Sequence, residues 1–400
     1  MGALVIPDRG PSPYFRGRKE ILQTFTDYLC YFKKEKTGTI FLIQGAQGSG
    51  KTALIDQCEK IAQKQDWETV EIDAPALWDS NILCDAFSNR NILKMINWKV
   101  KFGYKDIVSA EAGVNKSLRS IQKILQSGKR PLLLILDEAQ SLGKPDILPS
   151  TRRGTAGSIL NQIHNGKLRR PVVLLAAGLG TTDLAFKSLG ISRFEKKCLV
   201  QLGLLDKESE RAVIHDWLMD CAQAEGDPTK WIDAIAQKTH GWPQHIISYV
   251  DPASQYIKSN NRQMTDEGLQ FVLEKGEEFR QQYYQQRAKG IDEDKRRSLA
   301  RAISDVPFGE TSTRPAIMSE LIGSGLTHDE ADDLFNQALE QGVIDERDGC
   351  YGIPIPSMQS WLLSEYGRDR SDIPREDVQD WAKESSRDDG EVLPKYGQER

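Results

Sequence analysis

The 400-residue chain has no long hydrophobic run. Without about 18 consecutive apolar residues, no helical membrane span is expected. The segment Met1-Gly2-Ala3-Leu4-Val5-Ile6-Pro7-Asp8-Arg9 lacks the basic start and long apolar centre of a signal peptide, so a cytoplasmic protein is expected. The six cysteines (Cys30, Cys58, Cys84, Cys198, Cys221 and Cys350) form no C-x-x-C pair, and the five histidines are equally dispersed. That scatter excludes a zinc-ribbon pattern and a disulfide framework, and it fits reduced thiols. There is no basic excess either. A formal net charge of −5 gives no overall attraction to nucleic acid, so any DNA contact must come from a local patch. Hydrophobic residues make up 39% and charged residues 28%, enough for a packed core under a solvated surface, and the length accommodates two or three modules.

Glycine is abundant where it matters. Gly45-Ala46-Gln47-Gly48-Ser49-Gly50-Lys51-Thr52 fits G-x-x-x-x-G-K-[ST] at every fixed position. The preceding Thr39-Ile40-Phe41-Leu42-Ile43 reads as a buried strand, and Ala53, Leu54, Ile55, Cys58, Ile61 and Ala62 carry the period of a helix. A backbone wrapped around a phosphate must point its N–H groups inward, and a Cβ blocks that approach. Lys51 then reaches the β- and γ-phosphates, and Thr52 is placed to bind Mg²⁺.

A second chemical signal follows in Pro131-Leu132-Leu133-Leu134-Ile135-Leu136-Asp137-Glu138. Consecutive branched aliphatics ending in two carboxylates describe a central parallel strand with acids at its carboxyl end, where an α/β sheet places its ligand. Asp137 suits a Mg²⁺ role. Glu138 is placed to polarise water for attack on a γ-phosphate. Pro171 to Gly178 reads as another buried strand, and residues 206–258 read as helices carrying Trp217, Leu218, Trp231, Ile232 and Ile235.

The C-terminal third has its own pattern. A charged helix over Asp266–Arg287 leads to helices starting near Asp294 and Arg314, and Thr327-His328-Asp329-Glu330 is a capping box that opens another. Asp348-Gly349 then marks a hairpin. Three helices followed by a hairpin predict a winged-helix-like module. Its third helix carries Asp329, Glu330, Asp332, Asp333 and Glu340 with no lysine or arginine, so its face is repelled by DNA phosphates. A protein partner is therefore expected to meet this module, or the polar tail around Trp381.

Together these motifs resemble the AAA+ and STAND P-loop ATPases, in particular the origin-recognition type and ATP-binding regulators of transposition. The resemblance covers roughly residues 14–366. It implies an α/β fold: a P-loop parallel sheet with a helical lid and a C-terminal winged-helix-like domain. The expected segments are an extended 1–13, an ATPase core at 14–204, a lid at 205–260, a connecting helix at 261–290, the winged-helix-like module at 291–366 and a mobile polar tail at 367–400.

By the same resemblance, Phe15 and Arg18 in Phe15-Arg16-Gly17-Arg18-Lys19-Glu20 lie against the adenine. Pro243 of Gly241-Trp242-Pro243 approaches the nucleotide from the lid, and Arg193 in Gly190-Ile191-Ser192-Arg193-Phe194 completes a neighbouring subunit's site. The strand ending Ala177-Gly178 departs from the family pattern, which often places a polar sensor asparagine there. Hydrolysis is accordingly expected to be slow and partner-stimulated.

The implied cofactors are ATP and Mg²⁺, and the implied assembly is a homo-oligomer. Arg152 and Arg153 are candidate contacts to non-specific duplex DNA. The leading functional expectation is an ATP-hydrolysing switch that regulates DNA transposition or a related mobile-element or defence system. A STAND-like signalling scaffold that does not bind DNA is the alternative, and a replication-initiation or helicase-loader-like ATPase is a third.

Overall fold

A computed structural model describes residues 14–89 and 110–366, except 192, 305, 307, 308 and 348. The expected extended N-terminus, the polar tail and Trp381 lie outside the described residues. In chain order the first part comprises α1 (Lys19–Glu35), β1 (Thr39–Gln44), α2 (Lys51–Lys64), β2 (Glu68–Glu71), α3 (Ser80–Asn89), α4 (Ala110–Gln126), β3 (Leu132–Leu136), α5 (Ser150–His164), β4 (Val172–Gly178), α6 (Thr182–Lys187) and β5 (Leu199–Gln201). Five strands form one parallel sheet in the order β2-β3-β4-β1-β5.

Continuous apolar runs make these strands central because both faces are covered. Ile40 and Leu42 of β1, Leu132, Leu134 and Leu136 of β3, and Val172, Leu174 and Ala176 of β4 enter one core cluster. The alternate residues Phe41, Ile43, Leu133, Ile135, Val173, Leu175 and Ala177 enter the cluster on the other face, with Leu54, Cys58 and Ala62 of α2. The period of two thus splits each run between two helical layers. Full burial of each large aliphatic stabilises the sheet by about 1.5–3 kcal/mol. The three-residue β5 has half-exposed side chains, as an edge strand can. It escaped the sequence pattern because it is too short to show a period.

Beyond the sheet come α7 (Lys207–Asp216), α8 (Thr229–Thr239), α9 (Pro243–Ser259) and α10 (Asp266–Ala288). Trp217, Leu218, Trp231, Ile232 and Ile235 share a buried cluster with Tyr249 and Val272. The segment before α1 is bound to both the sheet and these helices. Arg16 makes a bidentate pair with Asp216 (Nε–Oδ2 2.6 Å, Nη2–Oδ1 3.0 Å), and Tyr14 meets the Trp217 ring edge-on at 5.7 Å. Phe15 packs against the α2 side of the sheet.

The last elements are α11 (Glu293–Ala302), β6 (Ser312–Thr313), α12 (Arg314–Gly323), α13 (His328–Glu340), β7 (Asp345–Arg347), β8 (Cys350–Gly352) and α14 (Met358–Tyr366). Three antiparallel strands pair in the order β6-β8-β7, giving the chain order of a winged helix. The capping box forms: the Glu330 amide donates to Thr327 Oγ1, and the Thr327 amide donates to Glu330 Oε2 at 2.9 Å. This module is anchored to the long α10, whose buried Tyr284 donates to the Pro356 carbonyl at 2.9 Å.

Candidate nucleotide site

The glycine-rich loop leaves β1 and opens α2 at the carboxyl end of the sheet. Gly45 N–H donates to the Gly178 carbonyl at 3.1 Å, which fastens the loop to β4. Gly48 and Gly50 both have φ of +91°, a conformation L side chains rarely adopt. A Cβ on Gly48 would also lie 2.8 Å from Gln244 Cβ and 2.9 Å from Tyr283 Oη.

Lys51 is buried, and its ammonium donates to the carbonyls of Gly45 (2.8 Å) and Ala46 (3.1 Å). Burial pushes its pKa down, against the opposing pull of Glu138, Asp137 and Asp345, while Arg287 adds to the lowering. Thr52 Oγ1 donates to Asp137 Oδ2 at 3.3 Å, so the two motifs meet across the loop. A hydroxyl and a carboxylate are hard oxygen donors of the kind Mg²⁺ takes together with phosphate oxygens. Among the described residues no group of three or more His, Cys, Asp or Glu could cage a metal, which fits a shared site of this type better than a softer one.

Glu138 follows β3 with φ of +51°. Its carboxylate accepts from Gln140 Nε2, and Gln140 Oε1 accepts from the Leu179 amide at 3.2 Å. Sequence reasoning passed over Gln140, yet it joins the acid to the end of β4. The Ala177-Gly178 departure now has a physical reason. A Cβ on Gly178 would lie 2.3 Å from Thr182 Oγ1 and 2.4 Å from Gln140 Oε1, so those two polar groups fill the space an asparagine would need.

The helices after the sheet close over the loop. Buried Glu210 accepts from the Gly241 amide at 2.6 Å and from the Thr239 hydroxyl, fixing the Gly241-Trp242-Pro243 turn; burial raises its pKa. Pro243 then packs on Gly50, and the Gln244 amide donates to the Gly48 carbonyl at 3.1 Å. From α10, Tyr283 Oη donates to the Gln47 carbonyl at 2.5 Å, and Arg287 donates to Gln47 Oε1. Neither Tyr283 nor Arg287 carried a sequence signal, because a charged helix conceals which of its faces meets a distant loop.

The remaining candidates lie apart. Arg18 donates to the carbonyls of Gly203 (2.5 Å) and Leu204 (3.0 Å), where the sheet gives way to α7, and burial lowers its pKa. Arg193 is exposed and lines a surface cleft of about 430 Å³ with Tyr31, Gly38 and His164. That cleft is at the amino end of β1, the length of the strand, roughly 16 Å, from the loop. Arg193 therefore cannot serve its own chain's loop. Arg152 and Arg153 occupy the first turn of α5; Arg152 is exposed, and Arg153 donates to Ser188 Oγ at 2.9 Å.

A glycine-rich loop between a central strand and a helix, faced by Asp137 and Glu138 from the neighbouring sheet, defines a P-loop NTPase core. Residues 34–174 match a family described as AAA domain, and the chain carries an AAA+ P-loop ATPase fold of the origin-recognition kind. The Walker-type ATPase of Pyrococcus abyssi is similar over 87% of this chain and 96% of its own, at 13% identity and a TM-score of 0.55. The ORC2 protein of Aeropyrum pernix, solved as ADPNP and ADP complexes, is similar over 96% of this chain and 98% of its own, at 12% identity and a TM-score of 0.54. No curated protein matches the sequence.

Proposed function

We propose that this chain is an ATP-dependent AAA+ switch that binds Mg-ATP, hydrolyses it slowly and uses the bound nucleotide to control assembly with other copies and with a partner. The observation that carries this reading is the 3.3 Å contact between Thr52 of the loop and Asp137 after β3, beside buried Lys51. Thr52 and Asp137 would hold Mg²⁺, which supplies charge neutralisation on the phosphate oxygens. Lys51 exchanges its loop carbonyls for phosphate oxygens. Glu138, oriented by Gln140, accepts the proton of the attacking water. Arg193, exposed at the far end of the sheet, is placed for another copy's nucleotide.

In the finer reading, the assembled form loads on duplex DNA without sequence preference and regulates transposition or a related mobile-element or defence system. Exposed Arg152 supports a backbone contact of that kind, and the five carboxylates of α13 direct the C-terminal module to protein instead. A replication-initiator-like role is the second reading, favoured by the likeness to ORC2 over nearly the whole chain. The first test is binding of ATP to Lys51→Ala, where a loss of at least tenfold is expected; unchanged binding would remove the site. The second is the mass of Glu138→Gln with Mg-ATP, with and without duplex DNA. Growth on DNA that disappears when Arg152 and Arg153 are neutralised supports the DNA-loaded regulator, and indifference to DNA excludes both DNA readings.

A further inference from the structure

The loop is held by more than its own strand and helix. Arg287, on the last turn of α10, donates through Nη1 to Gln47 Oε1 of the loop and, at 3.5 Å, to the Gln341 carbonyl at the end of α13. One guanidinium thus touches the phosphate loop and the C-terminal module together. Its Nε is buried and has no hydrogen-bond partner, and its plane lies over the Tyr283 ring with Cζ 5.9 Å from the centroid. Two more buried donors in the same seam are also unpartnered: Ser49 Oγ within the loop and Trp242 Nε1 beside Gly48.

The charges are arranged around the place a terminal phosphate would take. Lys51 feels Glu138, Asp137, Asp345 and Arg287, and Arg287 in turn feels Glu138. Lys51 reaches the β- and γ-phosphates in a loop of this pattern, and Glu138 faces the attacking water, so a cation acting on both is beside the γ-phosphate. Neither arginine expected from the sequence supplies that cation. Arg18 is committed to Gly203 and Leu204, and Arg193 is at the other end of the sheet. The third acid, Asp345, belongs to β7 of the C-terminal module, where it accepts from Gln201 at 3.3 Å. A triphosphate attracts Arg287 and repels Asp345.

We propose that Arg287 is a positioning residue that distinguishes ATP from ADP within its own chain: it takes up the γ-phosphate, leaves Gln341, and so loosens the C-terminal module from the nucleotide site. The proposal rests on the ATP-switch reading above. ADP carries no γ-phosphate, so Arg287 stays on Gln47 and Gln341 and the module remains seated. Arginine suits the task because its planar fork holds two acceptors at once.

The test measures displacement of a fluorescent ADP by ATP and by ADP in wild type, Arg287→Gln and Arg287→Lys. Arg287→Gln is expected to weaken ATP about tenfold while ADP stays within twofold, and Arg287→Lys, which keeps the charge, to recover most of the difference. Normal ADP binding doubles as evidence that the variant is folded. Hydrogen exchange supplies the second readout: ATP, but not ADP, should speed exchange over residues 341–347 in wild type and have no such effect in Arg287→Gln. Equal weakening of both nucleotides, or of neither, overturns the proposal and leaves the switch reading standing if Lys51→Ala still loses binding. A wild-type protein that binds neither nucleotide removes both.

Discussion

The seat of the C-terminal module on the ATPase core can be challenged by a single methyl group. Gly180 follows β4, and a Cβ there would lie 1.7 Å from Asp345 Oδ1 and 2.5 Å from its Cγ. The backbone angle of Gly180 is not in the positive-φ region, so an alanine carries no local strain and its cost comes from Asp345. The carboxylate must retreat by about 1 Å to reach even a tight contact, and Asp345 is 4% exposed, with little room to do so. Overpacking of a dense seam costs about 1–3 kcal/mol, and losing the bond from Gln201 adds about 0.5–1.5 kcal/mol. Gly180→Ala should therefore destabilise the seat by about 2–4 kcal/mol. Because chains with several packed units rarely unfold in two states, the readout is hydrogen exchange over β7 and β8, combined with denaturant midpoints. In a double-mutant cycle, Asp345→Ala should relieve most of the Gly180→Ala penalty, a coupling of about 1–3 kcal/mol. Protection unchanged in Gly180→Ala, or an equal penalty with and without Asp345, would refute the contact.

Two further outcomes are expected. Gln140→Ala frees Glu138 from its partner and should slow ATP hydrolysis roughly tenfold with ATP affinity unchanged, the worth of one charge-assisted bond, as read by phosphate release; unchanged turnover assigns Gln140 to structure alone. Burial, aided by Arg280 and Lys238, pushes the pKa of His240 down to about 4, and buried His245 is shifted the same way. The folded state then refuses protons that the unfolded chain accepts below about pH 6.5, so stability is complete above that pH and falls towards pH 4, by on the order of 2 kcal/mol for His240. His240→Gln should flatten the slope in urea denaturation, and an identical slope would show that the histidine is not shielded.

Much of the sheet was legible because the fold repeats its message locally. The loop pattern, the apolar run before it and the acid-ended run of β3 each name a strand end on one side of a parallel sheet, and the structure brings Lys51, Thr52, Asp137 and Glu138 together there. The winged-helix order was legible for the same reason: a capping box and a turn dipeptide are short-range signals. Three things were not. β5 and the two-residue β6 are too short to show a period. Gln140 looked like an ordinary loop residue, since its role depends on the space left by Gly178 on another strand. Tyr283, Arg287 and Asp345 act through pairings more than a hundred residues apart in sequence, which no window contains.

Those long-range pairings share a direction. Gln47 and Gly48 receive contacts from α9 and α10, Gly180 receives Asp345, and Gly45 is tied to Gly178, so every stretch of backbone bordering the phosphate position also supports a neighbouring unit. A change of charge at the loop is thus felt at once by the sheet, the helices that cover it and the C-terminal module. Lys51 sits at the balance point, with three carboxylates drawing its proton on and burial and Arg287 driving it off. A highly charged anion placed there outweighs each of these fields in a poorly solvated setting. The carboxylate it displaces most readily is Asp345, because Asp137 and Glu138 are fixed to β3 whereas β7 belongs to a module held to the site by a few polar contacts. Phosphate binding and release of the C-terminal module are for that reason two descriptions of one electrostatic event.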